Sequence, residues 1–172
     1  MLSTILYCLF LLLLTWLLVD DFKYRAVRWW LFPLLIALAP AIEYYNLKFK
    51  DIVFNGCFVL IQLAMLSIYF SIKERKFTNI THRYLGWGDI LFWIILCLLL
   101  SPLNFVLFFL FSMIIVTFVF SLWKFFNVQP DQPTIPLAGI QAMALLIVWA
   151  IVFFSDKISF REDQWIEQYL TI

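Results

Sequence analysis

Charge is what this chain has least of. Lys and Arg number 12 and Asp and Glu 11, so only 13% of the 172 residues are charged. An ordinary soluble domain carries about 25% charged and roughly 45–50% apolar residues. Here the apolar share is 65%, which excludes that class and leaves a chain that lives in a bilayer. There is one histidine, His82, and no second ligand near it, which speaks against a metal site. The three cysteines, Cys8, Cys57 and Cys97, sit singly inside apolar runs, form no C-x-x-C pair, and suggest neither zinc nor a disulfide framework. No glycine-rich phosphate loop, internal repeat or low-complexity tract is present. With a net charge of only +1, no nucleic-acid partner is implied and no cofactor is expected.

What is present is apolar sequence in lengths that matter. Six stretches can be marked, 2–19, 29–45, 52–72, 84–103, 105–123 and 136–154. A helix rises 1.5 Å per residue and the hydrocarbon core is about 30 Å thick. The reading is therefore an all-α, polytopic integral membrane protein with about six transmembrane helices. The first stretch lacks a basic flank and a small-residue cleavage site, so it reads as a retained span rather than a signal peptide. The second is short, holds Pro33 and Pro40, and ends at Glu43, which predicts a tilted or kinked segment. In the fourth, residues 90–101 give only about 18 Å of helix before Pro102. A helix starting near Tyr84 would make up the difference and place Asp89 about a turn and a half inside it.

Placement of the cations sets the orientation. The loops after the first, third and fifth stretches hold eight Lys and Arg, and the opposite side holds four. The positive-inside rule then puts both termini outside and those three loops in the cytoplasm, for a protein of the inner membrane. On this reading Asp20, Asp21 and Asp89 share the cytoplasmic face, and the Asn79-Ile80-Thr81 triplet is not a glycosylation site. Residues 1–154 form the transmembrane domain. Residues 155–172 form an outer-face tail in which Ser159 and Glu162 mark a helix start and Trp165, Ile166, Tyr169 and Leu170 recur at helical spacing, predicting a short interfacial amphipathic helix. Pro130, Pro133 and Pro136 predict an extended entry to the last span. Trp29, Trp30, Tyr45, Tyr84 and Trp123 at span ends read as interface anchors.

Acids at a membrane edge are costly to keep and mark candidate sites. Gly86-Trp87-Gly88-Asp89 opens the fourth span, and its glycines, Gly86 and Gly88, allow close backbone approach. Asp20 and Asp21 follow the first apolar run and are followed by Lys23, Arg25 and Arg28, any of the first two cations being able to pair with them. Successive residues differ by about 100° around a helix, so only one of the two acids can face Asp89. The other would face solvent or support a neighbouring loop. Two carboxylates brought together cannot both ionise easily. They share a proton, and one can then act as base on a water while the other protonates a carbonyl.

The pair of motifs resembles the type IV prepilin peptidases, membrane aspartyl peptidases that include the preflagellin peptidases. Asp21-Phe22-Lys23-Tyr24-Arg25-Ala26-Val27 has the spacing of the family's first motif, Gly86-Trp87-Gly88-Asp89 matches its Gly-x-Gly-Asp motif, and Ile135-Pro136-Leu137-Ala138-Gly139 is similar to the entry of its last helix. The resemblance runs over nearly the whole chain and implies the minimal, peptidase-only form. It implies Asp21 and Asp89 as catalytic residues, Gly86, Gly88, Lys23 and Arg25 as site-supporting ones, no metal, and a pilin-like precursor as substrate in a type IV pilus or protein secretion system. Arg28-Trp29 stands where the family usually has Pro-Asn, and Leu91 where a Lys often follows Gly-x-Gly-Asp.

Other readings of the same residues are an inactive peptidase relative acting as a membrane subunit, and a proton-linked transport component. A presenilin-like intramembrane peptidase shares Gly-x-Gly-Asp but has a Tyr-Asp first motif that Val19-Asp20-Asp21 does not supply. Transport acids lie near mid-membrane, whereas these lie at one edge.

Overall fold

The computed structural model describes residues 2–42, 47–75, 85–125 and 136–154. Six helices account for nearly all of them: α1 (Leu2–Tyr24), α2 (Leu31–Ile42), α3 (Phe49–Glu74), α4 (Trp87–Leu99), α5 (Pro102–Phe125) and α6 (Leu137–Phe154). No strand occurs among the described residues. Three helices are long and apolar enough to cross a membrane: α1, α3 and α5. The other three are apolar but shorter. At 12 and 13 residues, α2 and α4 reach only about 18 and 20 Å.

The helices form a closed ring in the order α1, α2, α4, α3, α5, α6 and back to α1, and α4 also touches α6 across it. Each inner helix buries one stripe at helical spacing. α1 contributes Phe10, Leu13, Leu14 and Leu17, α4 contributes Phe92, Ile95, Leu96 and Leu99, and α6 contributes Ala138, Ala142, Leu145 and Trp149. α3 is different. Only Asn55 and Val59 are buried on it, and Leu60, Met65, Ile68 and Ile72 beyond them are exposed, a composition suited to lipid rather than water.

Buried polar side chains tie the ring together. Trp93 on α4 donates its indole N–H to Gln141 Oε1 on α6 (3.0 Å), Gln141 donates to Ser112 Oγ on α5 (3.1 Å), and Ser112 donates to the Phe109 carbonyl (2.9 Å). Asn55 on α3 donates to the Leu100 and Cys97 carbonyls (2.9 and 3.4 Å), so the carbonyls that α4 leaves open at its end are partly satisfied from a neighbouring helix.

Several boundaries differ from the sequence expectation. α1 runs five residues past Val19, because its acids lie on the inner side of the helix instead of following it. α2 begins at Leu31 rather than at Trp29, and Pro40 inside it removes one backbone donor. α4 begins at Trp87, with Gly86 extended before it, so Asp89 is the third helical residue and lies in the first turn rather than a turn and a half inside. Pro102, expected at the end of the fourth span, opens α5, where the missing N–H costs nothing. The expectations for Glu43, Tyr45, Asn79, His82, Tyr84, Pro130, Pro133, residues 155–172 and the Trp123 side chain lie outside the described residues.

Candidate active site at the start of the last helix

The site forms where three helix ends meet. The last turn of α1 brings Asp21, the first turn of α4 brings Asp89, and α6 points its first turn at both. A helix start leaves its first N–H groups without partners inside the helix. Here the Ala138 N–H donates to Asp89 Oδ1 at 2.9 Å and the next one, of Gly139, donates to Asp21 Oδ2 at 2.5 Å. Adjacent amides therefore hold the two carboxylates side by side, near enough for the charge of Asp21 to act on Asp89. Residues 118 positions apart in sequence meet here.

Asp89 makes a third bond. Its Oδ2 accepts the Gly86 N–H at 3.0 Å, while its own N–H donates to the Gly86 carbonyl at 3.2 Å, closing the start of α4 on itself. Both oxygens of Asp89 thus accept a backbone N–H. Asp21 Oδ1 accepts none among the described residues.

The glycines have specific work. A Cβ on Gly139 would sit 2.9 Å from Asp21 Oδ2 and 2.9 and 3.0 Å from the Phe22 ring, so only a bare backbone lets α1 come this close. On Gly86 a Cβ would lie 3.2 Å from Asp89 Oδ2, and on Gly88 it would reach Phe32 of α2 at 3.4 Å, an ordinary contact. Three of the chain's four glycines therefore line this one junction.

The cations divide. Arg25, which ends α1 in the left-handed conformation (φ 54°), acts on Asp21 through its charge. Lys23, expected beside the acids, is exposed and lies over the Tyr24 ring at 5.1 Å. It lies on the outer side of the same helix turn, away from the two acids. Asp20 does not face solvent. It is buried, and its Oδ2 lies 3.4 Å from Arg28 Nε, an ion pair without a hydrogen bond. Neither Lys23 nor Arg25 is its partner. Arg28 also covers the Trp16 ring, which meets Trp30 edge-on, so Asp20 anchors the connection between α1 and α2.

Of the expected site residues, the structure brings together Asp21, Asp89, Gly86, Gly88 and Arg25, and leaves out Lys23. Sequence reasoning missed Gly139 and the Ala138 amide as parts of the site. The scarcity of glycine was the available signal, since a glycine in the first turn of an apolar helix needs a reason. Among the described residues no group of His, Cys, Asp and Glu is arranged to hold a metal ion. Two paired carboxylates at a helix start, one with an oxygen that accepts no bond among the described residues, are equipped to orient a water and to move protons. Comparison with protein-family models, with curated proteins and with solved structures finds no match for this chain.

Proposed function

We propose that this is a membrane aspartic endopeptidase that removes the leader of a pilin-like precursor at the cytoplasmic membrane face. The observation that carries the reading is the placement of Asp21 and Asp89 on adjacent amides of α6. The motif resemblance supplies the substrate class. All six helices traverse the bundle in this reading, with both termini outside. The short α4 is mostly buried against α2, α3 and α6, so it need not match the lipid thickness itself.

Hydrolysis by such a pair needs one shared proton. One carboxylate takes a proton from water as the water oxygen bonds to the scissile carbonyl carbon, and the other acid gives its proton to the carbonyl oxygen. The result is a neutral gem-diol. As the C–N bond breaks, the proton held by the first acid passes to the amide nitrogen and a diol proton returns to the second. An acid and an amine leave, and the pair is restored.

One observation favours a second reading. Three backbone N–H groups end on these acids, so they also cap α4 and α6, and a non-catalytic subunit would keep them for that alone. Co-expression with a pilin-like precursor separates the two. Asp21→Asn and Asp89→Asn should each abolish processing, with the double variant no worse than either, because the residues act as a unit. Normal processing by Asp21→Asn would reduce the pair to caps.

A further inference from the structure

We propose that Trp93 and Gln141 are positioning residues for the acid pair: the hydrogen bond between them, one turn beyond the acids, fixes the register of α4 against α6 that lays Asp89 on the Ala138 amide. The catalytic meaning of that register rests on the peptidase reading. The register itself is a property of the resting protein.

Two hydrogen bonds cross directly between these helices. Near their starts the Ala138 N–H donates to Asp89 Oδ1 (2.9 Å), and further in the Trp93 indole N–H donates to Gln141 Oε1 (3.0 Å). From Asp89 to Trp93 is about 6 Å along α4, and from Ala138 to Gln141 about 4.5 Å along α6, on two helices that run the same way. The bonds are therefore successive rungs of one ladder.

One rung does not hold a helix. With the Ala138 bond alone, α4 is free to pivot about Asp89; a second rung a turn away removes the pivot, because hydrogen bonds weaken steeply with length and angle. Apolar packing does not supply this, since it is non-directional, and the buried residues of α6 near the site include Ala138 and Ala142, whose methyls do little to lock a neighbour in place. A slip of one residue between the helices would carry Asp89 off by about 1.5 Å and about 100° of rotation.

The bonding of the rung has one polarity. An indole N–H only donates, so the Gln141 oxygen must face Trp93 and its NH2 must face away, where it meets Ser112 Oγ. The Phe109 ring meets Trp93 edge-on at 5.4 Å and keeps the indole in place. Gln141 is fully buried and Trp93 nearly so. An amide there is costly unless bonded, and an apolar side chain of like size would pack without that demand. The register that it sets next to the acids accounts for a polar rung at this depth.

The test uses the full chain in lipid nanodiscs. In Gln141→Leu, hydrogen exchange followed by NMR on protein labelled with 15N-alanine and 15N-glycine should be roughly three- to tenfold faster at Ala138. It should be unchanged at Gly139, whose N–H goes to Asp21 on α1 and not to α4. With a pilin-like precursor, kcat should fall about 10- to 100-fold at unchanged KM, because a misplacement of about 1 Å is enough for that. Trp93→Phe keeps a ring against Phe109 but lacks the N–H; it should give the same pattern, and it decides the matter should Gln141→Leu not assemble. Asn55→Leu is the control: it breaks the polar tie at the far end of α4, and should leave the Ala138 rate and kcat as in wild type. The proposal is overturned if Ala138 exchange stays at the wild-type rate in Gln141→Leu and Trp93→Phe, rises equally at Gly139, or rises as much in Asn55→Leu. A raised KM at unchanged kcat would overturn it as well. A wild type that cuts no precursor sinks the peptidase reading alone, because the amide rates report the register without cleavage.

Discussion

Gly139→Ala should be among the most damaging single-methyl changes in the chain. The added Cβ would stand 2.9 Å from Asp21 Oδ2 and 2.9 Å from Phe22 Cδ2, both well inside normal contact. Phe22 is part-exposed and its ring can move, but Asp21 is buried in the last turn of α1 and cannot retreat without losing the Gly139 N–H. Forced separation costs about 1–3 kcal/mol as overpacking, and loss of the buried Gly139–Asp21 hydrogen bond about 1–3 kcal/mol more if it is complete. Against this, alanine gains up to about 1 kcal/mol of helix propensity. With the bond lost, the net is a destabilisation of roughly 1–6 kcal/mol. Gly56→Ala is the matched control. Gly56 sits within α3 with nothing within 4 Å of its would-be Cβ, so that change should stabilise by about 0.5–1 kcal/mol. Thermal or denaturant unfolding of both variants in nanodiscs, read by tryptophan fluorescence, gives opposite signs if the junction is as described. A Gly139→Ala protein as stable as Gly56→Ala would mean that α1 and α6 do not approach this closely.

Other changes follow from the same contacts. Gln141→Leu leaves the Trp93 indole N–H without its acceptor and Ser112 Oγ without its donor, and should cost about 1–3 kcal/mol by the same unfolding assay, whereas an exposed change such as Lys23→Gln should stay within about 0.5 kcal/mol. Lys23→Gln should also leave precursor processing unchanged, which a co-expression assay checks. Asp20→Asn removes the ionic partner of Arg28 and should loosen the α1–α2 connection, seen as faster amide exchange at residues 26–30, with the Asp21–Asp89 contacts kept.

The helices were legible in the sequence because apolar runs of this length have few alternatives in a chain with so little charge. Their ends were not. Asp20 and Asp21 looked like the first polar residues after a span, yet they extend the helix, since one is paired with Arg28 and the other accepts the start of α6. The start of α4 was placed too early because Gly86 was read as part of the helix rather than as the extended residue before it. Choosing Asp21 over Asp20 needed only helical rotation and the motif spacing. Lys23 lies apart from the two acids for the converse reason: nearness in sequence to an acid says nothing about which side of the turn a side chain takes. Gly139 was hidden because its partner lies 118 residues away, and nothing local in 136–140 states what will pack against it.

The most direct measurement is proteolysis by the purified protein in 18O-labelled water, with a synthetic pilin-like precursor and mass spectrometry of the products. The account predicts a single cut before the apolar segment, one 18O atom in the new carboxyl group after a single turnover, and no product from Asp21→Asn. A wild-type protein that leaves the precursor intact, or an Asp21→Asn variant that still cuts it, would contradict the claim that Asp21 and Asp89 together hydrolyse a peptide.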